Sequence, residues 1–245
     1  MGEFKDKKIL ITGGSRGIGL GIAKHFFNQG AKVAICGRKE ANLQKAKAEI
    51  GDIIIIPANL SKADEVDKLF QTLGAEFGSL DILVNNVGMN ILTPFILEAD
   101  IALWEKVLDS NLKSAFMCAR LAFHLMKEKG GVIINISSIA GHRAAPGMGI
   151  YGIAKAGLNM LTKVMAKELA SFNIRVNAIS PGVVRTEFSM PFWSDESIYK
   201  EIVKGVPLGR IAEIEDVVLL VDYLASPRSA YVTGEIISLC GGAEA

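Results

Sequence analysis

Residues 8–36 read KILITGGSRGIGLGIAKHFFNQGAKVAIC, and the order of features in them decides the fold. Residues 8–12 are a short apolar run that reads as a strand. A glycine-rich turn follows over Gly13 to Gly19, and residues 18–28 then carry apolar side chains at helical spacing. Residues 32–36 are a second apolar strand. A strand, a helix and a second strand in about thirty residues make a βαβ unit, because parallel strands need a crossover that antiparallel ones do not.

The alternation continues outward from this unit. Residues 40–50 and 62–77 are helical, flanking four consecutive isoleucines at 53–56 that suggest a strand buried on both faces. Residues 81–84 and 131–136 are further strands, separated by a long helix within 101–129. A helix over 150–172, a strand over 174–179 and a last strand over 235–239 complete the series. Strands alternating with helices predict an α/β, single-domain, doubly wound Rossmann-type parallel sheet of about seven strands with helices on both faces, spanning 1–245. Ligands of such sheets sit outside the carboxyl ends of the strands, so function is to be sought in the residues just after each strand.

Composition excludes several classes. Of the 245 residues, 50% are hydrophobic, and 27 Lys and Arg against 26 Asp and Glu leave a net charge of +1. That balance argues against disorder, a phosphate-neutralising nucleic-acid binder and a polybasic membrane surface. The uncharged runs 82–97 and 130–141 are too short and too polar to span a bilayer. Cys36, Cys118 and Cys240 are odd in number and lack CxxC spacing, which suits neither a disulfide framework nor a zinc site. His25, His124 and His142 are scattered without ligand spacing, so no metal is expected. The charged N-terminal residues do not form a signal peptide. By elimination the expected location is cytoplasmic.

The first candidate site is the glycine turn. Gly13, Gly17 and Gly19, with Ser15, Arg16 and Ile18 between them, have the spacing G-x-x-x-G-x-G. Glycines there permit a tight turn and close approach of a pyrophosphate to free N–H groups at a helix start. A ligand-free strand–helix turn is the alternative. The second strand runs into Gly37-Arg38-Lys39 with no carboxylate before Glu40. An acid there would suit the ribose of NAD, whereas Arg accommodates a 2′-phosphate. Arg16 and Arg38 together therefore favour NADP(H), unless both are simply solvated surface arginines.

The second candidate site is Tyr151-Gly152-Ile153-Ala154-Lys155, which sets a phenol and an ammonium four apart on one helix face. A nearby ammonium favours the phenolate, as proton transfer near neutral pH requires; a surface pair is the bland alternative. Ser137 and Ser138 end strand five, and Asn85-Asn86-Val87-Gly88 follows strand four at the same sheet edge. Asn111 is a polar residue in a largely apolar helical stretch, either functional or a helix-bending amide.

With these motifs in order, the sequence resembles the short-chain dehydrogenases/reductases over nearly its whole length. Thr12-Gly13-x-x-x-Gly17-x-Gly19, Asn85-Asn86-x-Gly88, Asn111, Ser138, Tyr151-x-x-x-Lys155 and Pro181-Gly182-x-x-x-Thr186 all match. The resemblance implies Tyr151 as acid/base, Ser138 as holder of the substrate carbonyl, and Lys155 as a ribose ligand that lowers the tyrosine pKa. It implies that Asn111 positions a relay water. Thr186 and the backbone of Val184 would contact the nicotinamide carboxamide. Asn59, where the family commonly has Asp, and its neighbour Leu60 would meet the adenine, and Val87 replaces the usual Ala. Asn86, Gly88, Pro181 and Gly182 complete the implied cofactor wall.

The implied activity is NADP(H)-dependent reduction of a ketone to a secondary alcohol, with 3-oxoacyl thioesters among the candidate substrates. The family places its substrate lid at 187–206, here rich in aromatic residues and Met, which suits an apolar or bulky ketone. Ordinary surface packing is the alternative for that segment. Residues 144–149 are expected to form pocket wall. The family is usually tetrameric, and the helices around 112–126 and 158–169 are apolar on more than one face, so a homotetramer is expected, with a dimer as fallback. Two rivals stand beside this reading. One is an NAD-dependent alcohol or polyol dehydrogenase; the other is a nonenzymatic dinucleotide-sensing regulator, which would be expected to lose Tyr151 or Lys155.

Overall fold

A computed structural model describes residues 2–93 and 95–245. Its strands are β1 (Lys8–Thr12), β2 (Lys32–Gly37), β3 (Ile54–Pro57), β4 (Ile82–Asn85), β5 (Gly131–Ile136), β6 (Ile174–Pro181) and β7 (Ile236–Leu239). The helices are α1 (Gly17–Asn28), α2 (Glu40–Ile50), α3 (Ala63–Phe77), α4 (Ile101–Leu108), α5 (Ser114–Met126), α6 (Gly149–Leu169), α7 (Glu196–Lys204) and α8 (Ile214–Ala225). All seven strands pair in parallel, in the order β3-β2-β1-β4-β5-β6-β7. The chain winds outward from β1 to β3 and then crosses to β4 on the other side. That reversal leaves a crevice beyond the carboxyl ends of β1 and β4.

Side chains two apart on a strand share a face, and the strands use this to build two core layers. Ile9 and Ile11 of β1 and Val33 and Ile35 of β2 enter one layer with Ile22 and Phe26 of α1, Leu43 of α2 and Val217 and Val221 of α8. Leu10, Ala34 and Cys36 enter the other with Leu69 and Leu73 of α3, Cys118 and Ala122 of α5 and Met165 of α6. Both faces of the central strands are thereby dry, which explains their unbroken apolar runs.

Three expectations need correction. The isoleucine run forms the edge strand β3, where Ile54 and Ile55 are only partly buried; an edge has one strand neighbour and cannot be covered like β1. The helix within 101–129 is two helices, joined by one π turn over Asp109–Lys113. Helix α8 was not anticipated, although Val217, Val218, Val221 and Leu224 bury an apolar stripe against the sheet.

Candidate active site

The glycine turn is tied to the neighbouring strand end on every side. Gly13 has φ +65° and donates its N–H to the Cys36 carbonyl at 2.9 Å. A Cβ on Gly19 would collide with the Gly13 carbonyl, so no other residue lets the helix start so close to the turn. The Asn86 amide donates to the carbonyls of Thr12 (3.0 Å) and Gly13 (3.2 Å), and the Thr12 hydroxyl accepts the N–H groups of Asn86 and Val87. The Asn86 side chain therefore holds β1 to β4.

Helix α1 starts with no side-chain cap on Arg16 and no acid in its first turn. Its leading N–H groups have no side-chain cap, which fits the phosphates of a dinucleotide. Ile18 packs against the adjacent core layer. Across the crevice, a Cβ on Gly17 would lie 3.6 Å from Thr186 Cγ2. The Ser15 hydroxyl lies 3.7 Å from where a Gly37 Cβ would be, which brings the turn beside Arg38.

The two arginines behave differently. Arg38 is exposed, and no carboxylate pairs with it among the described residues. Arg16 lies 3.4 Å from Glu187, with both side chains largely in solvent. After β3, where the family resemblance places the adenine, Asn59 uses its Oδ1 to accept from the Ser61 N–H at 3.2 Å, while its own N–H donates to Glu65. Its NH2 remains to donate, and Leu60 beside it is buried. Pro181 ends β6, Gly182 donates its N–H to Leu239 (2.9 Å), and the Val184 carbonyl accepts from Ser189 Oγ.

At the end of β5 the hydroxyls take separate tasks. Ser137 donates to Asn159 Oδ1 at 2.6 Å and is buried. Ser138 caps the short turn Ile139–Gly141, its Oγ accepting the Ala140 N–H at 3.2 Å. Lys155, one turn after Tyr151 on α6, donates Nζ to the Ile136 carbonyl at 2.9 Å and lies 5.6 Å from the Tyr151 ring centroid. Two further Nζ protons remain to donate.

Part of Tyr151 reaches solvent, but its phenol is in a low-dielectric environment. Burial pushes its pKa up to about 12, opposed by the Ser138 hydroxyl beside it. Burial also brings Lys155 down to about 8. Burial, which disfavours the charged form of each group, is the largest influence on both. Tyr151 is consequently protonated at neutral pH.

Asn111 sits in the π turn. Its Nδ2 donates to the carbonyls of Val107 (2.9 Å) and Met89 (2.8 Å), and its Oδ1 accepts the Met89 N–H at 3.2 Å. The amide thus ties the π turn to the loop after β4. A Cβ on Gly88 would stand 2.8 Å from Asn111 Oδ1 and 3.4 Å from Lys155 Nζ, so Gly88, Asn111 and Lys155 meet at one point.

Two polar sets escaped the sequence reading. Beneath the site, Asn85 Nδ2 donates to Asn135 Oδ1 (2.9 Å), Asn135 Nδ2 to Thr162 Oγ1 (2.8 Å), and Thr162 to the Leu158 carbonyl (2.8 Å). Amides inside β4 and β5, where neighbouring positions are apolar, were the available signal. In the 187–206 segment, Trp193 Nε1 donates to Ser189 Oγ (3.0 Å) and the Thr186 carbonyl (3.2 Å). The Arg185 guanidinium lies over the rings of Trp193 (5.1 Å) and Tyr199 (5.7 Å). The spacing Thr186-x-x-Ser189, a capping box in the structure, could have marked it.

Fold and site together define an α/β protein with a phosphate-ready crevice and a Ser, Tyr and Lys cluster at one strand end. A family model described as Enoyl-(Acyl carrier protein) reductase matches residues 13–244. Over 97% of both chains, the protein is 37% identical to the 3-oxoacyl-[acyl-carrier-protein] reductase of Chlamydia muridarum. It is 35% identical to the 3alpha-hydroxysteroid dehydrogenase of Mediterraneibacter gnavus over 98% of both. The solved structure of a short-chain type dehydrogenase/reductase from Mycobacterium ulcerans superposes with a TM-score of 0.94 at 30% identity, covering 98% of this chain and 90% of that one. The chain belongs to the short-chain dehydrogenases/reductases, a family of oxidoreductases that use a nicotinamide dinucleotide. Among the described residues, no helix is long and apolar enough to cross a membrane.

Proposed function

We propose that the protein is an NADP(H)-dependent reductase that converts a ketone to a secondary alcohol, with 3-oxoacyl thioesters as the first substrates to test. The observation that carries this reading is the cluster of Tyr151, Ser138 and Lys155, with the Ser138 hydroxyl beside the phenol and Lys155 Nζ 5.6 Å from its ring. A neutral phenol is a proton donor, which is what reduction of a carbonyl needs. When bound, the reduced nicotinamide supplies the hydride. Ser138 Oγ holds the carbonyl oxygen, Tyr151 Oη gives it a proton, and Lys155 binds the ribose and stabilises the phenolate left behind. Asn111 keeps the loop after β4 in place and lines the route by which Tyr151 is reprotonated.

Arg38 supports NADP(H), because an exposed guanidinium without a carboxylate partner suits a 2′-phosphate. The Glu187 pairing of Arg16 makes Arg38 the main selector. Residues 187–206 form the lid over the substrate in this reading. The exposed Phe188 and Met190, with Leu92, Phe95 and Leu97 across the loop after β4, favour an apolar or bulky group beside the carbonyl. The steroid dehydrogenase among the relatives points the same way. Phe116 on α5 and Ile153, Met160 and Val164 on α6 are exposed, supporting a homotetramer through these helices; a monomer in light scattering at micromolar concentration would contradict it. The three free cysteines suit a reducing cytosol.

The test is a panel of 3-oxoacyl thioesters and bulky ketones with NADPH and NADH, followed at the nicotinamide absorbance. The reading expects turnover with NADPH and a higher kcat/KM than with NADH; activity with alcohols and NAD alone would overturn it.

A further inference from the structure

The last residues of the chain fold back onto the loop that carries Ser138. Gly241 (φ +62°) and Gly242 (φ +90°) make the turn in the left-handed region, and a Cβ on either would press on Val206 or Pro207. Leu208 donates its N–H to the Gly241 carbonyl at 3.1 Å, so the turn is also fastened to the exit of the 187–206 segment. Beyond it, Glu244 Oε2 lies 2.9 Å from His142 Nδ1 and accepts from Ser238 Oγ at 2.6 Å. Arg143 donates to the Ala243 carbonyl at 3.3 Å.

His142 closes this network on the catalytic side. Its Nε2 lies 3.1 Å from Ser180 Oγ, a fully buried hydroxyl directly before Pro181 and Gly182. A carboxylate only accepts, so Nδ1 carries a proton towards Glu244, while Nε2 is within hydrogen-bond distance of the Ser180 hydroxyl. Within the chain, the His142 N–H donates to the Ile139 carbonyl, in the short turn that Ser138 caps. One imidazole therefore joins the Ser138 loop, the end of β6, β7 and the tail. The arrangement Ser–His–Glu superficially matches a hydrolytic triad, but a hydroxyl with no solvent access cannot attack a substrate, so its work is mechanical.

We infer that His142 and Glu244 are positioning residues: they clamp the tail across the Ser138 loop and the lid exit, and so set where Ser138 meets the carbonyl oxygen. The inference rests on the proposed role of Ser138. Ser138 acts on charge that develops in the transition state, so loosening the clamp lowers kcat more than it raises KM. The clamp also reaches Ser180, directly before Pro181 and Gly182 of the implied cofactor wall, so NADPH affinity is measured beside kcat and is expected to change less.

The test compares Glu244→Ala, Glu244→Gln and His142→Ala with the wild-type enzyme. A glutamine oxygen can still accept from His142 and Ser238, whereas alanine cannot. Glu244→Ala and His142→Ala are expected to lose roughly tenfold in kcat, less than the hundredfold that a 1 Å misplacement at the reacting centre can produce. Glu244→Ala keeps its Tm near wild type and changes the NADPH dissociation constant less than kcat, Glu244→Gln restores most of the rate, and His142→Ala also loses stability because the buried Ser180 hydroxyl is left without a partner. Tyr151→Phe serves as the control for the underlying reading: activity in that variant would overturn the reading itself. With Tyr151→Phe inactive, the clamp is overturned if Glu244→Ala keeps wild-type kcat, if Glu244→Gln fails alongside it, or if kcat falls only in step with Tm.

Discussion

The floor of the site and its cover are held by different kinds of contact. The floor, at the ends of β4 and β5, rests on buried amides and hydroxyls bonded from Asn85 through Asn135 to Thr162, and from Ser137 to Asn159. The cover, residues 187–206, contains α7, none of whose residues is buried, and hangs on Trp193, Ser189 and solvent-exposed pairs such as Arg16–Glu187. Buried hydrogen bonds have no water to replace them, so the floor is fixed. Exposed pairs exchange with water at little penalty, so the cover can be remodelled without unfolding the enzyme. In the proposed function the chemistry belongs to the first region and the choice of substrate to the second.

Lys155→Met is the most severe way to break that contrast. It should lower kcat/KM at least a hundredfold, within the range for loss of acid–base assistance. It should also stabilise the protein at pH 7. Burial moves Lys155 from 10.5 to about 8. Between those values the folded state has lost a proton that the unfolded state keeps, so stability rises with pH through that window. Below pH 8 both states carry the charge and the full penalty of about 3 kcal/mol applies. Denaturant melts should find the methionine variant more stable at pH 7, with the gap closing by pH 10.5; a less stable variant at pH 7 would contradict the assignment. The same ionisation should make wild-type kcat/KM for reduction fall above about pH 8.

Arg38→Asp probes exposed charge, away from both floor and cover. Losing a charge-assisted bond of about 1.5–3 kcal/mol should weaken NADPH roughly ten- to a hundredfold, with NADH unharmed or improved. Raised salt should weaken NADPH more than NADH in the wild type. An unchanged NADPH/NADH ratio of kcat/KM would remove Arg38 from the site.

Thr162→Val and Trp193→Phe sharpen the comparison directly. The first leaves the Asn135 amide unpaired in the interior and should lower stability by about 1–3 kcal/mol in denaturant melts. The second removes a donor at the edge of the cover and should change stability by less than about 1 kcal/mol while altering KM. Equal stability losses would mean the two regions are held alike.

What could be read beforehand was whatever is local in the chain. The strand, glycine turn and helix of residues 8–28, the Tyr151–Lys155 spacing and the hydroxyls after β5 need only short stretches to be recognised. What stayed hidden depends on distant pairings. Asn135 finds Thr162 and Asn85 across 27 and 50 positions, and His142 finds Glu244 across 102. The edge position of β3 likewise depends on strand order, which its four isoleucines do not encode. The surroundings of the phenol are hidden for a related reason. A charge four residues away is visible in a sequence, while the burial that raises the phenol's pKa is a property of the packed site.

The most direct measurement of the central claim is single-turnover reduction by Tyr151→Phe with NADPH prebound. Phenylalanine keeps the ring and its packing but has no proton to give. The account predicts that NADPH binds within about twofold of wild type while hydride transfer slows by 10²–10⁴, the usual worth of a positioned proton donor. Near-normal hydride transfer in that variant would show that Tyr151 is not the acid and that the proton comes from elsewhere in the site.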